Sequence, residues 1–240
     1  MALKKVLFLW DKKICFMEKY KILNLYACLG GNRYKWDDVL NEAGITDYQI
    51  TAVELDHELA RLYQERFPND IVIVEDAHQY LLDHYKEFDF IWSSPPCPSH
   101  SRARYWGFGA NGKNPIYPDM SLYQEIIFLE NHFNGKYCVE NVIPYYEPLI
   151  KAEERDRHLY WCNFNIPTII STRKSNGLIN ESIIADLSKF HDYDFKKYKG
   201  NQRLLKIARN LVDYEAGKTI LATALNIQLK SKNEQLRMFN

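Results

Sequence analysis

The chain predicts a doubly wound α/β fold with a mostly parallel sheet, and three observations carry that reading. Short apolar runs alternate with helical patterns between Lys21 and Val139, in the order βαβαβαβαβ. A parallel sheet with crossover helices on both faces explains that order. A glycine pair, Gly30-Gly31, follows the first run at once, and a residue suited to chemistry or ligand contact closes each run: Gly30, Glu54, Asp76, Cys97 and Glu140. In such a sheet these ends share one edge, where ligands bind.

Residues 1–19 read as an N-terminal extension, lysine-rich and without periodicity, in which Met17 offers an alternative start. Lys21–Tyr26 (KILNLY) reads as a buried strand, and residues 27–31 as a tight turn into a helix near Tyr34–Glu42. Strand, glycine turn and helix together bring backbone amides close to a small polar ligand. Two glycines alone mark only a turn.

Ile50–Glu54 is a second strand that ends in an acid, 23 residues after Gly31. At that separation an acidic residue takes ribose hydroxyls in dinucleotide folds. Asp56 caps a helix to about Phe67, with Leu59, Leu62, Tyr63 and Arg66 at helical spacing. Ile71–Val74 is a third strand, followed by Glu75-Asp76 and a helix through Tyr85.

Phe88–Trp92 is the fourth strand, and Ser93-Ser94-Pro95-Pro96 stops it. Proline has no N–H to donate and fixes φ, so the chain leaves the sheet here. Cys97 therefore sits on a stiff loop past a strand end, as a positioned nucleophile would. A small buried residue after a turn is the plain alternative. Arg102–Pro118 is long and irregular, and mixes Arg102, Arg104, Tyr105, Trp106 and Lys113 with Gly107, Gly109 and Gly112. That mixture suits a lid touching nucleic acid. Asp119 caps a helix over Met120–Phe133, and Lys136–Val139 is a fifth strand leading into Glu140-Asn141-Val142-Ile143-Pro144.

After Pro148 the pattern changes. Arg155–Phe164 reads as one strand with Arg155 and Arg157 at its entry, and Ile166–Ser171 as another. Residues 172–209 are polar, lysine-rich and weakly periodic, and read as a small inserted module. Asp213–Leu229 is an amphipathic helix, and the last eleven residues are a polar tail.

At 240 residues, 46% hydrophobic and 26% charged, the chain forms one large domain, or one with a small appendage. No apolar run approaches the roughly 20 residues that span a bilayer, and Val6–Trp10 is too short for a signal-peptide core. An intracellular location, the cytoplasm, is expected. Five cysteines, odd in number and without a C-x-x-C pair, argue against a disulfide framework and a zinc site. A net charge of zero gives no global pull on nucleic acid, but residues 37–89 hold fourteen Asp/Glu against three Lys/Arg. Residues 189–209 hold seven Lys/Arg against two Asp, so Lys196, Lys197, Lys199 and Arg203 are candidate phosphate contacts.

Taken together, these residues resemble the cytosine-C5 DNA methyltransferase family over about residues 21–225, in the style of short bacteriophage-encoded members. The glycine-turn motif appears as Asn24-Leu25-Tyr26-Ala27-Cys28-Leu29-Gly30-Gly31, the ribose acid as Glu54, and the adenine acid as Asp76. Pro96-Cys97 matches the nucleophile motif, and Glu140-Asn141-Val142 the Glu-Asn-Val motif. The arginine motif is reduced to Arg155-Asp156-Arg157, and Arg209-Asn210-Leu211-Val212 stands for the late Asn motif. Cys28, Pro98 and Arg209 depart from the family pattern, and the region between Cys162 and Arg209 is small for target recognition.

The resemblance implies the S-adenosylmethionine-dependent methyltransferase type of sheet, over a catalytic domain at 20–162. A target-recognition region at 163–209, a returning helix at 210–229 and a tail at 230–240 complete it. It implies S-adenosylmethionine held by Tyr26, Ala27, Gly30, Gly31, Glu54, Leu55, Asp76, Ala77, Pro95 and Asn210. It also implies catalysis by Cys97, Glu140, Asn141 and Arg157. Double-stranded DNA would be met by Ser99, Arg102, Arg104 and the basic segment, by a monomer without metal or membrane. A thiolate adding to C6 makes C5 of cytosine nucleophilic, an acid at N3 and the 4-amino group accepts the displaced electrons, and the base must first leave the duplex. Ser-Pro-Pro also occurs in amino-group methyltransferases, with an aromatic residue where this chain has Cys97. RNA as substrate, or a silent nucleic-acid-binding protein of the same fold, are the alternatives.

Overall fold

A computed structural model describes residues 19–102, 116–173 and 184–227. The N-terminal extension, most of the expected lid with Arg104, and the tail lie outside the described residues. So do residues 228–229, the end of the helix expected over Asp213–Leu229, whose described part ends at Ala224.

The sheet has seven strands in the order β3-β2-β1-β4-β5-β7-β6. Strand β1 (Tyr20–Leu25) lies between β2 (Tyr48–Val53) and β4 (Phe90–Ser93), and both pairings are parallel. Strand β3 (Ile71–Ile73) extends the sheet beyond β2, and β5 (Lys136–Val142) beyond β4, again in parallel. The chain reverses order at β1 and β4, which opens a crevice at their C-terminal ends.

Side chains alternate across the sheet, as a period of two requires. Ile22, Ile50, Phe90, Trp92 and Cys138 face helix α1 (Trp36–Glu42) and helix α7 (Tyr214–Ala224). Leu23, Leu25, Val53, Ile91 and Val139 face α3 (Ala77–His84) and α4 (Ser121–His132). Helix α2 (His57–Arg66) begins at Asp56, whose Oδ1 accepts from the Glu58 and Leu59 amides, as an N-cap does.

The region after Pro148 departs from the sequence expectations. The single strand expected over Arg155–Phe164 is a hairpin: β6 (Glu153–Arg155) and β7 (His158–Cys162), joined by Asp156-Arg157. Asp156 takes a left-handed φ of 54°, a conformation its short polar side chain tolerates, and so the turn forms. Strand β7 then runs antiparallel to β5. Ile166–Ser171 forms no strand: Pro167 removes a donor, while Ile166 and Ile170 are buried against the α1–α7 face. The weakly periodic stretch contains two helices, α5 (Ile184–His191) and α6 (Leu204–Asn210). Leu187 of α5, Ile207 and Ala208 of α6, and Phe195 and Tyr198 of the turn between them cluster with Leu29, Leu59 and Leu62, so this part of the chain packs on α2. Its basic character is partly spent there, since Lys197 pairs with Glu65 at 3.0 Å.

Candidate active site

A cavity of about 340 Å³ occupies the crevice at the ends of β1, β2, β4 and β5, within the range of small-molecule sites. The turn after β1 forms its floor. Tyr26, Cys28 and Gly30 all have left-handed φ, of 55°, 48° and 67°, and this winds the backbone back on itself. Glycine accepts such a φ without strain, whereas Tyr26 and Cys28 do so at a cost of about 1–2 kcal/mol each.

Glu54 fixes that turn. Its Oε2 accepts from the Cys28 amide at 2.8 Å and its Oε1 from the Asp56 amide at 2.9 Å. Burial raises its carboxyl above the usual range, against the pull of these amides. Each oxygen keeps a second lone pair for a further donor. Asp76 lines the same cavity and caps α3 by accepting from the Gln79 amide at 2.9 Å. Burial, with Glu54 beside it, pushes the Cys28 thiol up to about 12, which disfavours its thiolate.

Cys97 enters from the loop after β4. Ser94 Oγ accepts from the Trp92 indole, and Asn141 Nδ2 donates to the Pro95 carbonyl at 2.9 Å, tying the loop to β5. The Cys97 carbonyl accepts from the His100 and Ser101 amides, both at 3.0 Å. His100 is buried, with Nδ1 at 2.5 Å from the Tyr146 hydroxyl. Burial, then the charge of Glu140, pushes the Cys97 thiol up to about 11.

Glu140 lies within β5 rather than after it, facing the α1–α7 side with Tyr160 as its register partner. His158 Nε2 sits 3.5 Å from Glu140 Oε1 and lines the cavity. Sequence reasoning passed over His158. The β6–β7 alternation, with His158, Tyr160 and Cys162 on one face, was the available signal.

Of the predicted site residues, Tyr26, Ala27, Gly31, Glu54, Leu55, Asp76, Ala77, Pro95, Cys97, Glu140, Asn141 and Asn210 all line this cavity. Gly30 shapes the turn from behind, where a Cβ would strike Phe67 and Tyr63. Arg157 does not line the cavity: it sits exposed in the hairpin turn, and His158 is the residue turned inward. Ser99 holds the Asp119 amide through its hydroxyl and exposed Arg102 donates to the Pro144 carbonyl, both just beyond the cavity wall. Lys196, Lys197, Lys199 and Arg203 are exposed but outside the cavity. Gln202, Lys206 and Arg209, at helical spacing on or just before α6, line the cavity instead. Among the described residues no cluster of three or more His, Cys, Asp or Glu could hold a metal ion. None of their helices is long and apolar enough to cross a membrane.

Residues 20–142, just over half of the chain, match the family described as C-5 cytosine-specific DNA methylase. Among solved structures, a DNMT2 variant from Spodoptera frugiperda is 24% identical, with 52% of this chain and 36% of that chain covered, at a TM-score of 0.36. A putative DNA modification methyltransferase encoded within an E. coli prophage is 20% identical, with 54% and 34% covered, at a TM-score of 0.33. An Entamoeba histolytica methyltransferase is 9% identical, with 87% and 98% covered, at a TM-score of 0.47. The chain thus spans about a third of the length of the first two. No curated protein matches it.

Proposed function

The chain belongs to the C-5 cytosine-specific DNA methylase family, and from that premise we propose that it methylates C5 of a flipped cytosine in double-stranded DNA through a covalent bond to Cys97. One observation carries the reading: Cys97 and Glu140 line the same cavity as the β1 turn, Glu54 and Asp76.

The donor set fits S-adenosylmethionine. Glu54 would take the ribose hydroxyls, Asp76 the adenine amino group, and exposed Leu55 would cover the ring beside them. When bound, the cofactor supplies the electrophilic methyl group.

The chain's own residues prepare the base. Cys97 loses its proton to solvent and its sulfur adds to C6, while the C5=C6 electron pair moves towards C5. Glu140 holds a proton at N3 and accepts from the 4-amino group, so the ring carries the displaced charge. His158, beside Glu140, orients that carboxylate. Asn141 keeps the Cys97 loop in register with β5 through the Pro95 carbonyl. Release requires the C5 proton to pass to solvent water; the C5–H electron pair re-forms C5=C6 and the S–C6 electron pair returns to sulfur as thiolate. Ser99, Arg102 and Arg203 would meet phosphates, and residues 163–209 would serve as the target-recognition region.

DNA with fluorine at C5 of the target cytosine tests this. Fluorine cannot leave as the proton does, so the protein should remain joined to that DNA in the presence of S-adenosylmethionine and survive denaturing electrophoresis. Cys97→Ser should abolish the adduct and Cys162→Ser should retain it. Methylation of DNA without an adduct on the fluorinated strand would overturn the proposal. An adduct on fluorinated RNA alone would move the substrate to RNA.

A further inference from the structure

The cavity holds Cys97 in surroundings that disfavour its reactive form. Burial and the Glu140 carboxylate both oppose the thiolate, and the ordinary remedy for such a site is a nearby cation. Arg157, the arginine among the expected catalytic residues, sits exposed in the β6–β7 turn and does not line the cavity.

Helix α6 lines the same cavity as Cys97. Ile207 and Ala208 bury that helix against α2 and fix its rotation. Gln202, Lys206 and Arg209 then fall on the cavity side, four and three residues apart, as one helical face requires. Lys206 Nζ lies 3.4 Å from Gln202 Oε1, one turn earlier, which holds its stem along this face. The charged and titratable groups that line the cavity with Cys97 are Cys28 after β1, Glu54 after β2, Asp76 before α3, Glu140 from β5, His158 from β7, and Lys206 and Arg209 from α6. Of the cations, Lys206 is the one whose field acts on Cys97 in favour of the anion.

We propose that Lys206 is a positioning residue for the reaction, the counter-cation that α6 presents to the Cys97 thiolate across the cavity. The inference rests on the reading of Cys97 as the nucleophile. Lys206 acts through Cys97 and keeps its own proton throughout; the thiol proton goes to solvent. The arrangement also gives the region after Pro148 a second task. It packs on α2, and it completes the electrostatics of a cysteine more than a hundred residues away in the sequence.

The test reads the thiol itself, without DNA or cofactor. Iodoacetamide transfers its carboxamidomethyl group to the Cys97 sulfur and releases iodide, at a rate set by the thiolate fraction. Peptide-resolved mass spectrometry would follow Cys97 in the full chain between pH 7.5 and 9.5. Lys206→Gln should slow alkylation about fivefold at every pH in that range, the effect of removing one unit charge across a partly wet cavity. Lys206→Arg should stay near the wild-type rate, and Glu140→Gln should be faster. In 1 M KCl the gap between wild type and Lys206→Gln should shrink, because salt screens the charge. Lys206→Ala, in the same assay, guards against an effect peculiar to glutamine. Wild-type rates in both neutral variants, equal slowing in Lys206→Arg, or a gap indifferent to salt would overturn the proposal. The fluorocytosine adduct reports separately on Cys97 as nucleophile, so failure of one reading is distinguishable from failure of the other.

Discussion

The Tyr26 hydroxyl donates to Glu125 Oε1 at 2.6 Å, joining the turn after β1 to the middle of α4. Glu125 is fully buried, and it also accepts from Ser93 Oγ at 2.6 Å and lies 3.0 Å from His78 Nδ1. Hydrogen bonding to this carboxylate raises the His78 imidazole above its ordinary value. Three elements that end at the cavity are therefore held by one acid outside it.

Glu125→Ala should destabilise the protein by about 3 kcal/mol, because it strands buried donors that lose their acceptor. Tyr26→Phe should cost about 1 kcal/mol and weaken S-adenosylmethionine binding several-fold by loosening the turn. Urea unfolding and calorimetric titration check the two effects; unchanged cofactor affinity in Tyr26→Phe would separate the network from the site.

Glu54→Ala removes the acceptor of the Cys28 and Asp56 amides together with the proposed ribose contact. Cofactor affinity should fall about tenfold or more. Glu54→Gln, which keeps one acceptor oxygen, should fall between wild type and alanine in the same titration.

Gly31→Ala should be poorly tolerated, since its Cβ would lie 2.2 Å from the Val212 carbonyl oxygen and 2.7 Å from Leu211 Cγ. Backbone oxygen cannot step aside as a flexible side chain can, so a loss of about 2–3 kcal/mol is expected. Gly44→Ala meets nothing within 4 Å and pays only for its left-handed φ of 72°, about 1 kcal/mol. Thermal unfolding of the two variants should rank them in that order.

His191 supplies a pH dependence. Burial, with Arg173 nearby, pushes its imidazole from the ordinary 6.5 down to about 4. The folded protein then binds fewer protons than the unfolded chain between those values, so stability is full above about pH 6.5 and falls as pH drops towards 4. The loss should reach about 3 kcal/mol. His191→Gln should flatten that part of the urea-stability profile, and an unchanged slope would exclude His191 as its source.

The first five strands were legible because each is a short apolar run bounded by polar residues, glycine or proline. Asp56 announced α2 as a capping residue does, and Pro95-Pro96 announced the end of β4. The β6–β7 hairpin was not legible: Asp156-Arg157 carries no glycine, and the turn depends on aspartate accepting a left-handed φ. Helices α5 and α6 were hidden for another reason. Their apolar residues are few and answer to Leu29, Leu59 and Leu62, a surface no local pattern reveals. The same blindness affected the charges. Lys196, Lys197 and Lys199 suit phosphate by sequence, yet Lys197 answers the acidic α2, while Lys206, unremarked in the sequence, lines the cavity.

The antiparallel pairing of β5 and β7 constrains how this hairpin can change over evolutionary time. Glu140 opposes Tyr160 and Val142 opposes His158, and these inward side chains share a face only in that register. One residue gained or lost within 158–162 would slide the strand by one step and turn His158 and Tyr160 to the opposite face. Variation in this hairpin should therefore proceed by substitution, or by length changes confined to the Asp156-Arg157 turn, while gaps in an alignment of relatives should avoid β7 itself.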